Sequence, residues 1–267
     1  MPIITLLTDF GLTDTFIGVM KGVIWSIAPD VKIADLTHNI RPQNVLEGAY
    51  SIADAAPYFP AGTIHVCVVD PGVGTARRPM AASIGDQLFV GPDNGLFTLL
   101  IEKAKDFPTP PVYMHLNRPR FWLPSISYSF HGRDIFAPVA AHLAAGAAFE
   151  ELGDPISDPV RIPIPEPQKT AEGWQGQVIQ IDHFGNLITN LSRVHLPPGG
   201  GVNLHVGETL VSDFVTSFGS RPPGALVAMI DSSGRLAISE VNGSAAARLG
   251  IHEDEPVLLA FTPEGKA

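Results

Sequence analysis

The sequence predicts two domains: an N-terminal α/β/α domain with a mainly parallel central sheet, and a smaller C-terminal all-β, barrel-like domain. In the first part of the chain, short β-branched runs alternate with longer segments of helical period, which is typical of a parallel sheet covered by helices. The second part contains short strand patterns separated by Gly and Pro, which favours a barrel or sandwich. We expect domains at residues 1–163 and 174–267, joined by a Pro-rich linker at 164–173.

The N-terminal domain is built on a strand–helix–strand–helix–strand pattern. Strands are predicted at 3–8, 31–36 and 63–69. A helix that ends before Pro29 is predicted from apolar residues at every third or fourth position: Phe16, Val19, Met20, Val23, Ile24 and Ile27. A second helix covers 44–56. Ligands of such sheets bind beyond the carboxyl ends of the strands, so Asp9, Thr37 and Asp70, which follow the three strands, are candidate site residues.

The C-terminal domain contains only short predicted strands. They lie at residues 175–181, 202–206, 208–212, 225–230, 235–240 and 256–261. No helix of convincing length is predicted between them. Short strands with turn residues between them close into a barrel or pack as two sheets.

Composition excludes several classes of protein. With 45% apolar and 16% charged residues the chain can bury enough surface to fold, and its net charge of −10 repels nucleic acid. The single Cys67 excludes a disulfide framework, and the spacing of the nine His disfavours a metal site. No apolar run approaches the roughly 20 residues of a membrane helix, and no secretory signal is visible. We therefore expect a cytoplasmic protein without membrane or nucleic-acid partners.

The segment TDFGLTD, residues 8–14, places a carboxylate and a glycine at the end of a buried strand. Gly11 lets a ligand approach backbone and side chain together. Two roles stay open for Asp9, namely accepting hydrogen bonds from a ribose diol or forming a structural turn. For Asp14, this segment alone favours capping of the following helix.

The segment VVDPGVGTARRP, residues 68–79, follows the third strand. Its glycines resemble a phosphate loop, but the Walker pattern is absent and no helix starts at its end. A glycine turn can fold Arg77 back onto Asp70 to form an ion pair. From this segment alone, a purely structural pair is favoured.

The segment SFHGRDIFAP, residues 129–138, places His131 before Gly132, with Arg133 and Asp134 opening an apolar helix. A histidine at such a junction is placed to titrate near neutrality and to act on a bound water. An exposed histidine in a charged helix cap is the common alternative.

The segment IDHFGNLITN, residues 181–190, carries Asp182, Phe184 and Asn186 around a glycine. An aromatic face and an amide are suited to gripping a purine edge, although an Asx turn explains the pattern equally well. Further polar groups near turn signals are Ser232, Ser233, Glu240 and Asn242. Taken singly, each of these is more typical of a turn than of a ligand contact.

Six segments in this order, TDFG, DPGVGTARR, PDNG, FHGRD, IDHFGN and VNGSAA, together resemble the SAM hydroxide adenosyltransferases, the adenosine-forming S-adenosyl-L-methionine hydrolases. These enzymes are relatives of the fluorinase and chlorinase, which use halide instead of water. The resemblance runs from Ile3 to about Leu259. It implies an N-terminal α/β domain, a C-terminal β-barrel and a homotrimer whose active sites lie between the N-domain of one subunit and the C-domain of the next.

The resemblance also implies roles for individual residues. The set that handles the water falls on Asp70, Arg77 and His131, with Arg78 as the adjacent alternative to Arg77. The carboxylate that binds the ribose falls on Asp9. The other implied substrate contacts are Asp14, Asp182 and Ser232 for the methionine part, and Phe184, Asn186, Glu240 and Asn242 for the adenine part. Phe16 and Ile188 depart from the Ser and Trp of the fluorinase.

The implied reaction is in-line attack of an activated water on C5′ of S-adenosyl-L-methionine, giving adenosine and L-methionine without metal or cofactor. The thioether leaves without needing a proton, so the difficult step is the activation of water. The resemblance implies that Arg77 stabilises the developing hydroxide and that Asp70 or His131 accepts the proton. Alternatives are a halide-using 5′-halo-5′-deoxyadenosine synthase, a non-catalytic adenosyl-binding protein and a metal-dependent hydrolase. Asp70 disfavours halide, since like charges about 4 Å apart repel by roughly 4 kcal/mol at an effective dielectric of about 20, unless Asp70 is protonated or fully neutralised by Arg77.

Overall fold

The computed structural model describes residues 2–197 and 202–261. They form two compact units, one ending at Ile164 and the other beginning at Pro165. The strands of the first unit are β1 (Ile3–Thr8), β2 (Lys32–Thr37), β3 (Ile64–Val68), β4 (Pro79–Ile84), β5 (Gln87–Pro92), β6 (Val112–His115) and β7 (Asp154–Ile156). Its α-helices are α1 (Phe16–Ile27), α2 (Val45–Ala55), α3 (Thr98–Lys103) and α4 (Ala137–Ala144).

The strands of the first unit form one sheet in the order β2-β1-β3-β5-β4-β6-β7. β1 pairs in parallel with β2 and β3, and β3 pairs in parallel with β5. The pairs β4–β5, β4–β6 and β6–β7 are antiparallel, so five of the seven strands run in one direction. The prediction of a mainly parallel sheet is confirmed, with antiparallel strands added at one side.

Alternate residues of the central strands contact opposite layers of helices. On β3, Ile64, Val66 and Val68 pack in the cluster that contains α1 and α4. Cys67 and Val69 pack in the cluster that contains α2 and α3. Because side chains alternate across a strand, a nearly continuous apolar run is what a strand buried on both faces requires.

The buried stripe of α1 differs from the predicted one. Ile17, Met20 and Ile24 are buried, whereas Phe16 and Val19 are 43% and 39% exposed. The predicted Val23 and Ile27 pack against the same cluster as Met20, so the prediction is wrong only for Phe16 and Val19. α1 therefore carries exposed apolar side chains on its outer face.

The second unit is an antiparallel β structure. Its strands are β8 (Gln168–Lys169), β9 (Gly173–Ile181), β10 (Leu187–Ser192), β11 (Val202–Val206), β12 (Thr209–Val211), β13 (Leu226–Ile230), β14 (Arg235–Glu240) and β15 (Pro256–Phe261), with one short helix, α5 (Ala245–Leu249). The order is β12-β11-β15-β9-β10-β14-β13, with β8 beside β9. A bridge between Phe214 and Ala228 brings the segment after β12 to β13, so the sheet nearly closes on itself.

Apolar side chains from most strands meet inside this second sheet, among them Val178, Leu187, Leu204, Leu236 and Val257. The prediction of a barrel-like C-terminal fold is confirmed. The segment predicted as a linker, 164–173, contains β8 and the first residue of β9. No helix among the described residues has both the length and the hydropathy to cross a membrane.

His65 on β3 is a fully buried titratable group. Its ring stacks on Phe89 with 4.9 Å between centroids, and its Nδ1 lies 2.7 Å from the hydroxyl of Thr5. Burial lowers the pKa of His65 from 6.5 to about 4, and the neighbouring side chain of Gln87 opposes this only in part. Between these two pH values the unfolded chain binds a proton that the native state does not, so stability falls as the pH falls.

We expect the free energy of unfolding to decrease by about 3 kcal/mol through His65 alone between pH 7 and pH 4. Replacing His65→Gln removes this contribution, so the variant loses less stability on acidification than the parent. Urea denaturation at both pH values measures the difference, with the exposed His205→Gln as the matched control. Equal acid sensitivity of the parent and His65→Gln would show that His65 titrates normally.

Candidate active site

A cleft of about 380 Å³ lies beyond the carboxyl ends of β1 and β3. Three of the residues predicted from sequence line it: Asp9, Asp70 and His131. Thr37 does not line it, and its hydroxyl instead accepts a hydrogen bond from the backbone N–H of Asn39. The expectation that all three strand ends supply the site is therefore wrong for β2.

Arg77 joins Asp70 to His131. Its Nε donates to Oδ1 of Asp70 at 3.0 Å, and its Nη2 donates to Oδ2 of the same carboxylate. The same Nη2 lies 3.1 Å from Nδ1 of His131. The side chains of Arg77 and Asp70 are only 7% and 4% exposed, and the guanidinium also stacks 5.3 Å from the ring centroid of Phe136.

This geometry determines the protonation of His131. A guanidinium can only donate, so Nδ1 of His131 accepts and its ring proton resides on Nε2. Burial and the positive charge of Arg77 lower the pKa of His131 below its ordinary 6.5, while the charges of Asp70 and Asp134 oppose the shift in part. The imidazole is therefore neutral at physiological pH.

The two loops that carry these residues touch at a glycine. Gly74 has φ of +75°, and a Cβ there would lie 2.2 Å from the backbone oxygen of Tyr128. Neighbouring turns are closed by hydrogen bonds from Val73 to Asp70 and from Thr75 to Gly72, both 3.2 Å. The glycines of this segment thus allow the loop that carries His131 to approach closely. This close packing accounts for the glycines, and a phosphate-binding role is not needed to explain them.

Arg78 belongs to a different network. Its Nε donates to Asp93 at 2.8 Å and its Nη1 to Asp158 at 2.9 Å. Asp93 is fully buried, and its other oxygen accepts from the backbone N–H of Val160 at 2.7 Å. Of the two adjacent arginines, Arg77 is the one that contacts Asp70 and His131.

Asp9, which also lines the cleft, is held by a turn. Its Oδ2 accepts from the backbone N–H of Gln43 at 2.8 Å, and Gln43 adopts a left-handed conformation with φ of +68°. Gly11, also with φ of +68°, donates its N–H to the backbone oxygen of His38 at 2.7 Å. Oδ1 of Asp9 has no partner among the described residues, which leaves it available to a ligand.

Asp14 lies outside this cleft. It is exposed and makes no hydrogen bond within the described part of the chain. α1 has Thr15 at its N-cap position without a side-chain capping bond. The prediction that Asp14 caps the helix is therefore wrong, because the helix begins two residues further on.

The second unit has a cleft of its own, about 520 Å³ in volume. Its lining consists of Phe184, Asn186, Phe218, Glu240, Asn242 and Gly243. All four residues that the resemblance assigns to the adenine part are thus brought together. Their convergence follows from the sheet, because the start of β10 pairs with the end of β14.

Asp182 organises the loop that carries two of these residues. Its Oδ1 accepts from the backbone N–H groups of Phe184 and Asn186, both at 2.9 Å, and its Oδ2 accepts from Nδ2 of Asn186 at 2.7 Å. Gly185, with φ of +82°, lies so close to Ser244 that a Cβ would be 2.0 Å from its hydroxyl. The Asx turn predicted for this segment is therefore confirmed, and it orients the amide of Asn186.

Ser232 is not brought to this cleft. It is exposed in the turn between β13 and β14, whereas Glu240 ends β14. Six residues of extended strand separate that turn from the cleft, a span of about 20 Å.

Sequence reasoning missed several lining residues. Gln43, Val73 and Phe130 line the first cleft, and Phe218 lines the second. Gln43 follows a proline, and its left-handed conformation has no signal in the sequence. Phe130 adjoins His131, so the neighbours of a candidate histidine were the available signal.

The protein thus consists of an α/β unit, whose cleft is lined by Asp9, Asp70 and His131, and a β unit with a separate cleft. The family models for the SAM hydroxide adenosyltransferase N-terminal and C-terminal domains match residues 4–153 and 176–258. The chain therefore belongs to the SAM hydroxide adenosyltransferase family, and the resemblance carried by its six segments is confirmed.

Similar proteins support this placement along nearly the full chain. The (R)-S-adenosyl-L-methionine hydrolase of Thermus thermophilus is 42% identical over 95% of this chain and 97% of its own length. The protein of the same name from Salinispora tropica is 42% identical over 94% of each chain. The fluorinase of Nocardia brasiliensis is 31% identical over 92% of each. The crystal structure of an uncharacterized conserved protein from Thermotoga maritima has a TM-score of 0.88 at 32% identity, covering 96% of this chain and all of the other.

Proposed function

We propose that this protein hydrolyses S-adenosyl-L-methionine to adenosine and L-methionine. The observation that carries the proposal is the contact of Arg77 with both Asp70 and His131 at a cleft that also contains Asp9. A carboxylate, a guanidinium and an imidazole at one wall are the groups that activating a water requires. The hydrolases that are 42% identical to this chain support the same reaction.

Asp70 is the group that accepts the proton of the water. Nδ1 of His131 is occupied by Arg77 and Nε2 carries the ring proton, so the imidazole offers no free lone pair. The oxygens of Asp70 each accept one hydrogen bond from Arg77 and keep further lone pairs. Nη1 of Arg77 is buried without a partner among the described residues and is a donor for the developing hydroxide.

The reaction then balances without a further reactant. The water oxygen forms a bond to C5′ as the bond from C5′ to the sulfonium sulfur breaks, and that electron pair stays on sulfur. The water proton moves to Asp70, and the methionine leaves as a neutral thioether. His131 keeps the guanidinium in register with Asp70, and Asp9 binds the ribose diol through Oδ1.

The adenine ring belongs, in this proposal, to the cleft of Phe184, Asn186, Glu240 and Asn242. Phe184 is 73% exposed in the single chain, so its ring face is accessible for stacking with adenine. Asp14, Asp182 and Ser232 stay predicted contacts of the methionine part. Both oxygens of Asp182 also accept hydrogen bonds within its own loop, so Asp182 fixes the shape of that loop as well.

Halide use is the second candidate, because relatives that are 31–34% identical are fluorinases. The simple repulsion between Asp70 and a halide loses force here, since Arg77 pairs with both carboxylate oxygens. Hydrolysis is favoured for another reason. A halide has no proton to give up, whereas this wall carries a carboxylate that can accept one.

Assembly into a homotrimer, with each site built from the first unit of one subunit and the second unit of the next, is part of the proposal. The outer face of α1 supports self-association. Phe16, Val19 and Trp25 are 43%, 39% and 47% exposed, and Gly18 and Gly22 on the same helix face open space. Apolar side chains with small residues between them suit close packing against another chain.

Incubation with S-adenosyl-L-methionine in oxygen-18 water should place the label on the 5′-hydroxyl of adenosine. Mass spectrometry of the product measures it, and Asp70→Ala is the control that should give no product. Added chloride or fluoride should give no 5′-halo-5′-deoxyadenosine. Unlabelled adenosine, or a halogenated product in its place, would reject hydrolysis, and tight binding without any product would leave a binding protein.

Replacing Arg77→Lys should lower kcat by about 100-fold or more, because a lysine cannot bridge a carboxylate and an imidazole in the plane of a guanidinium. The matched variant Arg78→Lys should change kcat by less than about threefold, since its partners are Asp93 and Asp158. Steady-state kinetics on both variants compares the two adjacent positions. Equal losses of kcat would mean that Arg77 acts only through the stability of its loop.

Shared sites should allow two inactive chains to restore activity in a mixed assembly. The first chain carries Asp70→Asn, and the second carries Phe184→Ala together with Asn186→Ala. Co-expressed in equal amounts, they should give about a quarter of the parent activity, because one pairing in four unites two intact halves. Activity no greater than the sum of the separate variants would place each site within one chain.

A further inference from the structure

His131 is carried by a short irregular segment whose geometry needs an explanation. Residues Gly132–Phe136 form a π-helical turn that leads into α4. π-helical turns are rare, and they often occur at functional sites. The segment before His131, residues 122–130, contains no strand or α-helix, so side-chain contacts add to the few backbone hydrogen bonds that hold His131 in place.

Asp134 supplies those contacts. Its side chain is fully buried, and one oxygen accepts from both the backbone N–H and the hydroxyl of Ser127, at 2.8 and 2.7 Å. The other oxygen accepts from Nε of Arg133 at 2.5 Å. The hydroxyl of Ser127 accepts in turn from the backbone N–H of Phe130 at 3.1 Å. One carboxylate thus closes the loop 127–134 around His131.

Ser127 connects this carboxylate to the imidazole. The backbone of Ser127 lies beside the imidazole and partly opposes the lowering of the His131 pKa that burial and Arg77 cause. Since Nδ1 of His131 accepts from Arg77, the ring proton resides on Nε2. Arg77 on Nδ1 and the neighbouring backbone of Ser127 therefore hold the ring in one orientation and one tautomer.

We propose that Asp134 is a positioning residue that fixes Ser127, and through it the orientation and tautomer of His131 against Arg77. Asp134 does not line the cleft and does not touch the substrate. The predicted effect of Asp134 on the reaction rests on the proposed hydrolysis. Its predicted effect on the orientation and tautomer of His131 holds whether or not the protein is a hydrolase. This arrangement resembles the second layer of residues that orients histidine ligands in metal sites, with a guanidinium in place of the metal.

Two measurements on Asp134→Asn test the proposal. The amide keeps the size of the carboxylate but loses an acceptor oxygen, so Ser127 is released in part. We expect kcat to fall about 10- to 100-fold with KM changed less than about twofold, since misplacement of a reacting group costs rate and not substrate binding. Nitrogen-15 NMR at pH 8 should show His131 of the parent with Nε2 protonated, and a mixture of tautomers in the variant. The His131→Gln variant identifies the signal.

The control is Asp93→Asn, because Asp93 is also fully buried and also accepts from a backbone N–H and an arginine. It should lose comparable stability while leaving kcat and the His131 spectrum unchanged. Ser127→Ala should reproduce the effect of Asp134→Asn, and Ser127→Thr, which keeps the hydroxyl, should restore the parent behaviour. If Asp134→Asn does not fold, the comparison of Ser127→Ala with Ser127→Thr tests the proposal instead.

A folded Asp134→Asn or Ser127→Ala variant with the parent tautomer and the parent kcat would overturn the proposal. An equal effect of Asp93→Asn on both readouts would also overturn it, since that would be general destabilisation. If the parent protein does not hydrolyse S-adenosyl-L-methionine, the proposed function fails while the NMR result still reports on Asp134. If it does hydrolyse the substrate and the tautomer does not respond, only the role of Asp134 fails.

Discussion

The buried guanidinium of Arg77 is the interaction on which the rest of the site depends. It ties the loop after β3 to a histidine 54 residues further along the chain. A charge with only 7% of its side chain exposed is tolerable because Asp70 neutralises it through two hydrogen bonds. Removing either partner would leave the other charge buried and unpaired, which typically costs about 3–5 kcal/mol. Asp70, Arg77 and His131 are therefore required both for the stability of the fold and for the proposed reaction.

Strand pairing and one glycine turn bring the groups of the site together. Parallel pairing of β1 and β3 places Asp9 and Asp70 at one edge of the sheet. Gly74 then lets the loop after β3 approach the loop that carries His131. In the second unit, antiparallel pairing of β10 and β14 gathers a second set of polar residues in the same way. In both units the backbone decides which side chains meet, and local turns then aim them.

Much of this architecture could be predicted, because a strand buried on both faces and a helix with an apolar stripe leave distinct patterns, as in β1, β3 and α2. The pairing of Asp70 with Arg77 could be anticipated, since both lie in one short loop. Other features depend on tertiary context that no local pattern encodes. The exposure of Phe16 and Val19 on α1, the left-handed Gln43 and the distance of Ser232 from the second cleft are examples. The π-helical turn after His131, which contains the buried Asp134, likewise has no signal in the sequence.

A crystal structure of the protein with adenosine and L-methionine bound would test the central claim most directly. We predict that the adenosine 5′-oxygen lies within about 3.2 Å of the Asp70 carboxylate or of Nη1 of Arg77, with the ribose hydroxyls on Asp9. The methionine sulfur should lie on the far side of C5′ from that wall, in line for the reverse of the reaction. Adenosine bound with its 5′-oxygen more than about 6 Å from Asp70, Arg77 and His131 would contradict the account, because no water held by them could then reach C5′.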